Sequence, residues 1–75
     1  MKENSEFRIL CSNIIYLKNK NKLTQKELSE ISGLSLYSIS KIKKGICTDK
    51  ITAETLYRLS KYFKIRIADL FNTMV

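Results

Sequence analysis

Apolar residues recur at helical spacing over most of the chain. Phe7, Leu10, Ile14 and Leu17 stand three and four residues apart, which predicts an amphipathic helix over about 6–18 closed by the polar run Lys18 to Lys22. Three further helix starts repeat one local order: an apolar residue, a Ser or Thr, three residues, then a second apolar residue. Leu23-Thr24 with Leu28, Leu34-Ser35 with Ile39, and Ile51-Thr52 with Leu56 each place a hydroxyl at an N-cap and an apolar pair across it. Glu27, three residues after Thr24, completes a capping box at the first of these. Gly33 and Gly45 follow helical stretches where a left-handed residue commonly ends a helix. Helices are therefore predicted over about 25–32 and 36–44. Leu56, Leu59 and Phe63 mark a stripe along a fourth, over about 53–63, with Tyr57 and Tyr62 on its flanks. Ile67, Leu70 and Phe71 suggest a short fifth helix over about 67–72.

Composition agrees with that reading. The chain has 75 residues, no Pro and only two Gly, which favours helices in one small all-α domain spanning 1–75. Its core suffices for folding without surplus, so dimerisation would help it. A formal net charge of +7 on so short a chain raises the local concentration of polyanions. Nucleic acid and acidic lipid headgroups are the candidate partners, against a merely solubilising role for the lysines.

Several other classes find little support. Cys11 and Cys47 have neither CxxC spacing nor a His nearby, so no zinc site or disulfide framework is expected, and no cofactor is called for. No apolar run approaches the ~20 residues of a membrane span, and Met1 to Glu6 lacks the features of a signal peptide, so a cytoplasmic location is expected. With no His, no glycine-rich phosphate loop and no nucleophile beside an evident base, an enzyme is not expected.

The stretch from Thr24 to Gly45 carries the most information. Gly33 permits a tight turn between two short helices, and Leu28, Leu34, Ile39 and Ile42 supply the apolar side that packs them. If Ile39 and Ile42 face inward, helical geometry sends Leu36, Tyr37, Ser40, Lys41 and Lys44 along the opposite face. Exposed Leu36 and Tyr37 would be a liability in a chain that only had to fold. In a major groove Leu36 meets thymine methyls and Tyr37 spans base edge and phosphate, whereas in the competing reading the pair packs in a protein interface. Gln25 opens the helix after Thr24, where its amide and free backbone N–H groups suit a phosphate or simply face solvent. Lys43, Lys44 and Lys50 lie just past the second helix, and Lys18, Lys20 and Lys22 form another basic group.

On these residues Thr24 to Gly45 resembles the helix-turn-helix of the phage Cro and repressor proteins and related XRE-type bacterial regulators. LTQKELSEISGLS followed by ISKIKKG fits the first-helix, glycine-turn and reading-helix signature, and ITAETLYRLSKYFKIRIADLF resembles the last two helices, so the similarity covers about residues 7 to 71. It implies a compact five-helix, lambda-repressor-like domain that binds double-stranded DNA as a two-fold dimer with each reading helix in a major groove. Carried over by position, it implies base contacts by Leu36, Tyr37 and Lys41, with Ser40 a weaker candidate. It also implies that Gln25 holds phosphate and that Ser35, Ser38 and Lys44 lie near the backbone; apart from the resemblance, Lys43, Lys44 and Lys50 stand where flanking phosphates would run. The C-terminal apolar group Ile65, Ile67, Phe71 and Met74 is the candidate dimer interface, or else part of the core.

Four positions depart from the family pattern. Ser29 replaces a small Ala at the closest approach of the two helices. Lys43 stands where a Glu commonly pairs with a basic residue near Lys18, so that ion pair cannot form. Lys64 and Arg66 replace a Gly and an N-cap Ser before the fifth helix. The expected function is a transcriptional regulator, more a repressor than an activator, acting as a homodimer on a near-palindromic operator. The alternatives are a restriction-modification controller, an antitoxin-type regulator, or a protein-interaction module using the same exposed face.

Overall fold

The computed structural model describes residues 5–46 and 51–72. They form four α-helices, α1 (Ser5–Lys20), α2 (Gln25–Ser32), α3 (Leu36–Lys43) and α4 (Ala53–Phe63), followed by a 3-10 helix at Ile67–Phe71. Strands are absent among the described residues. Lys50 and Met74, expected at a phosphate and at the dimer interface, lie outside the described residues, as does Cys47.

All three hydroxyl caps form. Thr24 Oγ1 accepts from the Glu27 N–H at 3.0 Å while Glu27 Oε1 accepts from the Thr24 N–H at 2.8 Å, closing the capping box. Ser35 Oγ accepts from the Ser38 N–H at 3.1 Å and Thr52 Oγ1 from the Thr55 N–H at 3.4 Å. The helix ends are equally regular, although only two of four use glycine. Gly33 and Gly45 adopt φ values of 79° and 85°, and Lys22 and Lys64 take the same left-handed conformation at 56° and 58°. After Lys22, Gly45 and Lys64 the next N–H reaches back five residues: Leu23 to the Lys18 carbonyl, Ile46 to Lys41 and Ile65 to Ser60. These are Schellman closures, which satisfy carbonyls that a helix end leaves unpaired. Without a glycine to mark its end, α1 runs two residues beyond the expected boundary at Lys18.

Leu10, Ile14 and Leu17 from α1 meet Leu28, Leu34, Ile39, Ile42, Leu59 and Leu70 in one core, with Cys11 also buried beside them. α2 packs on α3 and α4, α3 also touches α1, and the 3-10 helix lies across α1 and α4. Every buried side-chain nitrogen or oxygen among the described residues has a hydrogen-bond partner.

The fifth element departs from the expected α-helix. Its ladder is i to i+3, from the Asp69 N–H to the Arg66 carbonyl and from the Asn72 N–H to the Asp69 carbonyl. Buried Asn13 on α1 fastens the end of this element, donating from its amide to the Leu70 carbonyl at 2.7 Å and the Asn72 carbonyl at 2.6 Å. Arg66, in place of a hydroxyl cap, starts the element by donating its backbone N–H and guanidinium to Asp69 at 3.1 and 3.3 Å. The backbone N–H bond, then the guanidinium bond, hold the Asp69 carboxyl below its ordinary value. A depressed carboxylate adds stability that is complete above its unfolded pKa and lost as pH falls through the folded one.

Two substitutions of opposite sign test this account of the ends. Asn13→Ala strands two carbonyls and removes two hydrogen bonds, lowering unfolding free energy by about 2 kcal/mol. Lys64→Gly relieves the left-handed cost of a Cβ, offset in part by the glycine's greater unfolded freedom, and raises it by about 0.5 kcal/mol or more. Urea unfolding of both variants checks the signs.

Candidate nucleic-acid interface

The site is built outward from the corner between α2 and α3. Gly33, at φ 79°, donates its N–H to the Ser29 carbonyl at 2.9 Å. Ser29 Oγ then crosses the corner to the Leu34 carbonyl at 2.6 Å, and the Leu34 N–H donates to Ser32 Oγ at 3.1 Å. Ser32 Oγ in turn donates to the Leu28 carbonyl at 2.7 Å. The hydroxyl of Ser29, unlike a methyl at this point, ties the two helices together. Ser32 is fully buried and was given no role by the periodicity; its place beside Gly33, with Ser29 one turn earlier, was the available signal.

This corner presents α3 with one face closed and one open. Ile39 and Ile42 are buried, while Leu36 is 51% and Tyr37 70% exposed at the front of the helix. Ser40 and Lys41 lie half-buried at its middle, and Lys43 and Lys44 are exposed at its exit. No Asp or Glu occurs between Ser35 and Ile46, so the positive end of the α3 dipole meets no side-chain carboxylate of its own helix. Leu36, Tyr37, Ser40, Lys41 and Lys44 thus share a side of α3 by the helical repeat, as their spacing predicts. Lys41 Nζ lies over the Tyr37 ring, 5.1 Å from its centroid.

The residues expected at phosphates are placed less uniformly. Gln25 is half-buried at the first position of α2, and Ser35 is exposed as the N-cap of α3. Ser38, expected near the DNA backbone, is instead only 5% exposed and receives a hydrogen bond from Ser35 Oγ at 3.1 Å. Its side chain completes the cap, inside rather than on the open face. Lys43 lines a cleft with Arg8, Ser12 and Ile15 of α1. The position that would carry a bracing acid thus brings a second cation, beside Arg8, to that cleft. In the other basic group, Lys20 Nζ is drawn over the Tyr16 ring at 5.8 Å. Among the expected interface residues, Ile65 and Phe71 pack partly buried on the core and Ile67 is exposed.

A family model described as a helix-turn-helix domain matches residues 13–74, which takes in the corner, α3, α4 and the 3-10 helix. The chain belongs to the helix-turn-helix domain family, one of XRE-type, Cro-like DNA-binding domains. No curated protein and no solved structure matches it. Within this helix-turn-helix domain no group of His, Cys, Asp or Glu is arranged to hold a metal among the described residues. No helix among them is long and apolar enough to cross a membrane.

The corner generates its own test. A Cβ on Gly33 would stand 3.7 Å from the Arg58 side chain, an ordinary contact, so Gly33→Ala is penalised by its backbone conformation alone. The expected loss is ~1 kcal/mol or somewhat more. Because Arg58 takes no part in that penalty, the loss is the same in an Arg58→Ala background, as paired denaturant titrations would show.

Proposed function

We propose that this helix-turn-helix domain is a sequence-specific double-stranded DNA-binding regulator, a repressor that acts from the cytoplasm as a homodimer and blocks a promoter by occupying a near-palindromic operator. The observation that carries the reading is the open face of α3. It combines two large exposed apolar side chains at its front, a lysine at its middle and two more lysines at its exit, with no acid among them.

In this reading α3 enters the major groove with Leu36 against thymine methyls and Tyr37, Lys41 and Ser40 at base edges. Gln25 and the N-terminus of α2 hold one phosphate, while Ser35, Lys43 and Lys44, joined by Lys50, follow the backbone on either side. A two-fold dimer sets the two α3 helices about 34 Å apart, one turn of DNA. The group proposed for that interface is Ile65, Ile67, Phe71 and Met74; among its described members Ile67 is exposed, while Ile65 and Phe71 already serve the core and can contribute only their outer edges. The domain carries no catalytic role in this reading.

Selection of bound duplexes from a random pool tests it. Enrichment of an inverted repeat supports both specificity and two-fold symmetry, whereas failure to enrich any sequence turns the exposed Leu36 and Tyr37 into a protein-docking face. With the enriched duplex, Lys41→Ala relaxes preference at one base position, with ~1 to 3 kcal/mol at stake. Lys44→Ala weakens all duplexes alike and reduces the salt slope by about one phosphate's worth. Full affinity, slope and base preference in both variants would show that α3 does not face DNA in this way.

A further inference from the structure

Tyrosine and lysine are paired four residues apart on three helices: Tyr16 with Lys20, Tyr37 with Lys41 and Tyr57 with Lys61. The middle pair is the tightest of these, at 5.1 Å, and stands on the open face of α3. Its geometry alters what that face presents. Helical side chains lean toward the N-terminus, so Lys41 folds back over the preceding turn and brings its ammonium to the level of Tyr37. The cation therefore sits beside the exposed Tyr37 ring near the front of the helix, instead of one turn further on.

That convergence sets a length scale. Base pairs in a duplex rise about 3.4 Å per step, so an ammonium about 5 Å from a ring centre spans one or two steps. An ammonium has donors and no acceptor, and among major-groove edges it suits the O6 and N7 acceptors of guanine. A ring and a leucine side chain offer apolar surface, which suits the methyl of thymine. The ring quadrupole attracts the ammonium through its face, which leaves the ring edge free for the second base.

We propose that Tyr37 and Lys41 act as one reading unit for a guanine next to, or one step from, a thymine. Lys41 donates to the guanine, and Tyr37 positions the ammonium while covering the thymine methyl. This rests on the reading that α3 enters the major groove, and it goes further by naming the base step and by making the two residues inseparable. Leu36 extends the apolar surface and does not hold the cation.

The test is a mutant cycle on the full chain with the duplex enriched from a random pool. Binding is compared for that duplex, for one with the guanine pair replaced by an adenine pair, and for one with thymine replaced by uracil, which removes only the methyl. Lys41→Met and Tyr37→Leu are made singly and together, alongside Tyr37→Phe. Both single variants are expected to lower the guanine preference, and the double variant to lower it less than the product of the two, by about two- to fivefold. Tyr37→Phe keeps the ring face and is expected to preserve the coupling, even where loss of the hydroxyl weakens every duplex. These side chains lie outside the core, and unchanged thermal unfolding of the variants verifies that the fold is intact. Independent effects, with Lys41→Met acting on guanine alone and Tyr37→Leu on thymine alone, overturn the reading unit while leaving DNA recognition by α3 in place. An enriched duplex lacking such a guanine and thymine also overturns it. Failure to enrich any duplex removes the major-groove reading and the unit with it.

Discussion

The turn from α2 into α3 passes through a single left-handed glycine, and the hydroxyls of Ser29 and Ser32 bind the backbone on both sides of it. Every feature of the open face depends on that corner. If the angle between the helices drifted, Ile39 and Ile42 would leave the core, and the same rotation would turn Leu36 and Tyr37 inward. The corner is rigid because its polar atoms answer one another: the Leu28, Ser29 and Leu34 carbonyls each accept a bond, and the Leu34 N–H has a hydroxyl to donate to. In a partly buried setting such a closed network outperforms isolated bonds, since breaking one bond leaves a desolvated partner.

The corner needs a platform, which α1 supplies. Leu10, Ile14 and Leu17 offer an apolar side on which α3 and the 3-10 helix both settle, and Asn13 on the same helix fastens the end of the described chain by two hydrogen bonds. A small domain with one core has few spare contacts, so the C-terminal segment is held by a polar clamp as much as by Leu70. This division has a functional consequence. The core absorbs Ile65 and Phe71, while α3 keeps large apolar groups and cations together on an uncovered side.

Much of this could be read from residue order because it is written in local rules. Thr24, Ser35 and Thr52 announce their helices through hydroxyls whose geometry depends on three successive residues, and Gly33 and Gly45 announce ends through an unhindered positive φ. Features that depend on distant partners were hidden. Lys22 and Lys64 end helices without the glycine that would signal it, because the carbonyls waiting behind them and the core ahead outweigh the local cost of a Cβ. The fastening of Leu70 and Asn72 by Asn13, far away in the chain, is encoded by no periodicity. The fate of Ser38 was likewise concealed: spacing fixes its angle around α3, but the Ser35 hydroxyl decides that it completes a cap. Lys41 is placed on the open face by spacing alone, whereas its folding back onto Tyr37 is a matter of rotamer.

The central claim, that the face set by the α2–α3 corner is the one that meets DNA, is tested most directly by titrating isotope-labelled protein with the enriched duplex and following backbone amide shifts by NMR. The largest changes are expected at Gln25 and from Ser35 to Lys44, with exposed Tyr57 and Tyr62 of α4 almost unmoved. Changes centred on Tyr57, Tyr62 and Ile67, with Leu36 and Tyr37 unaffected, would contradict it.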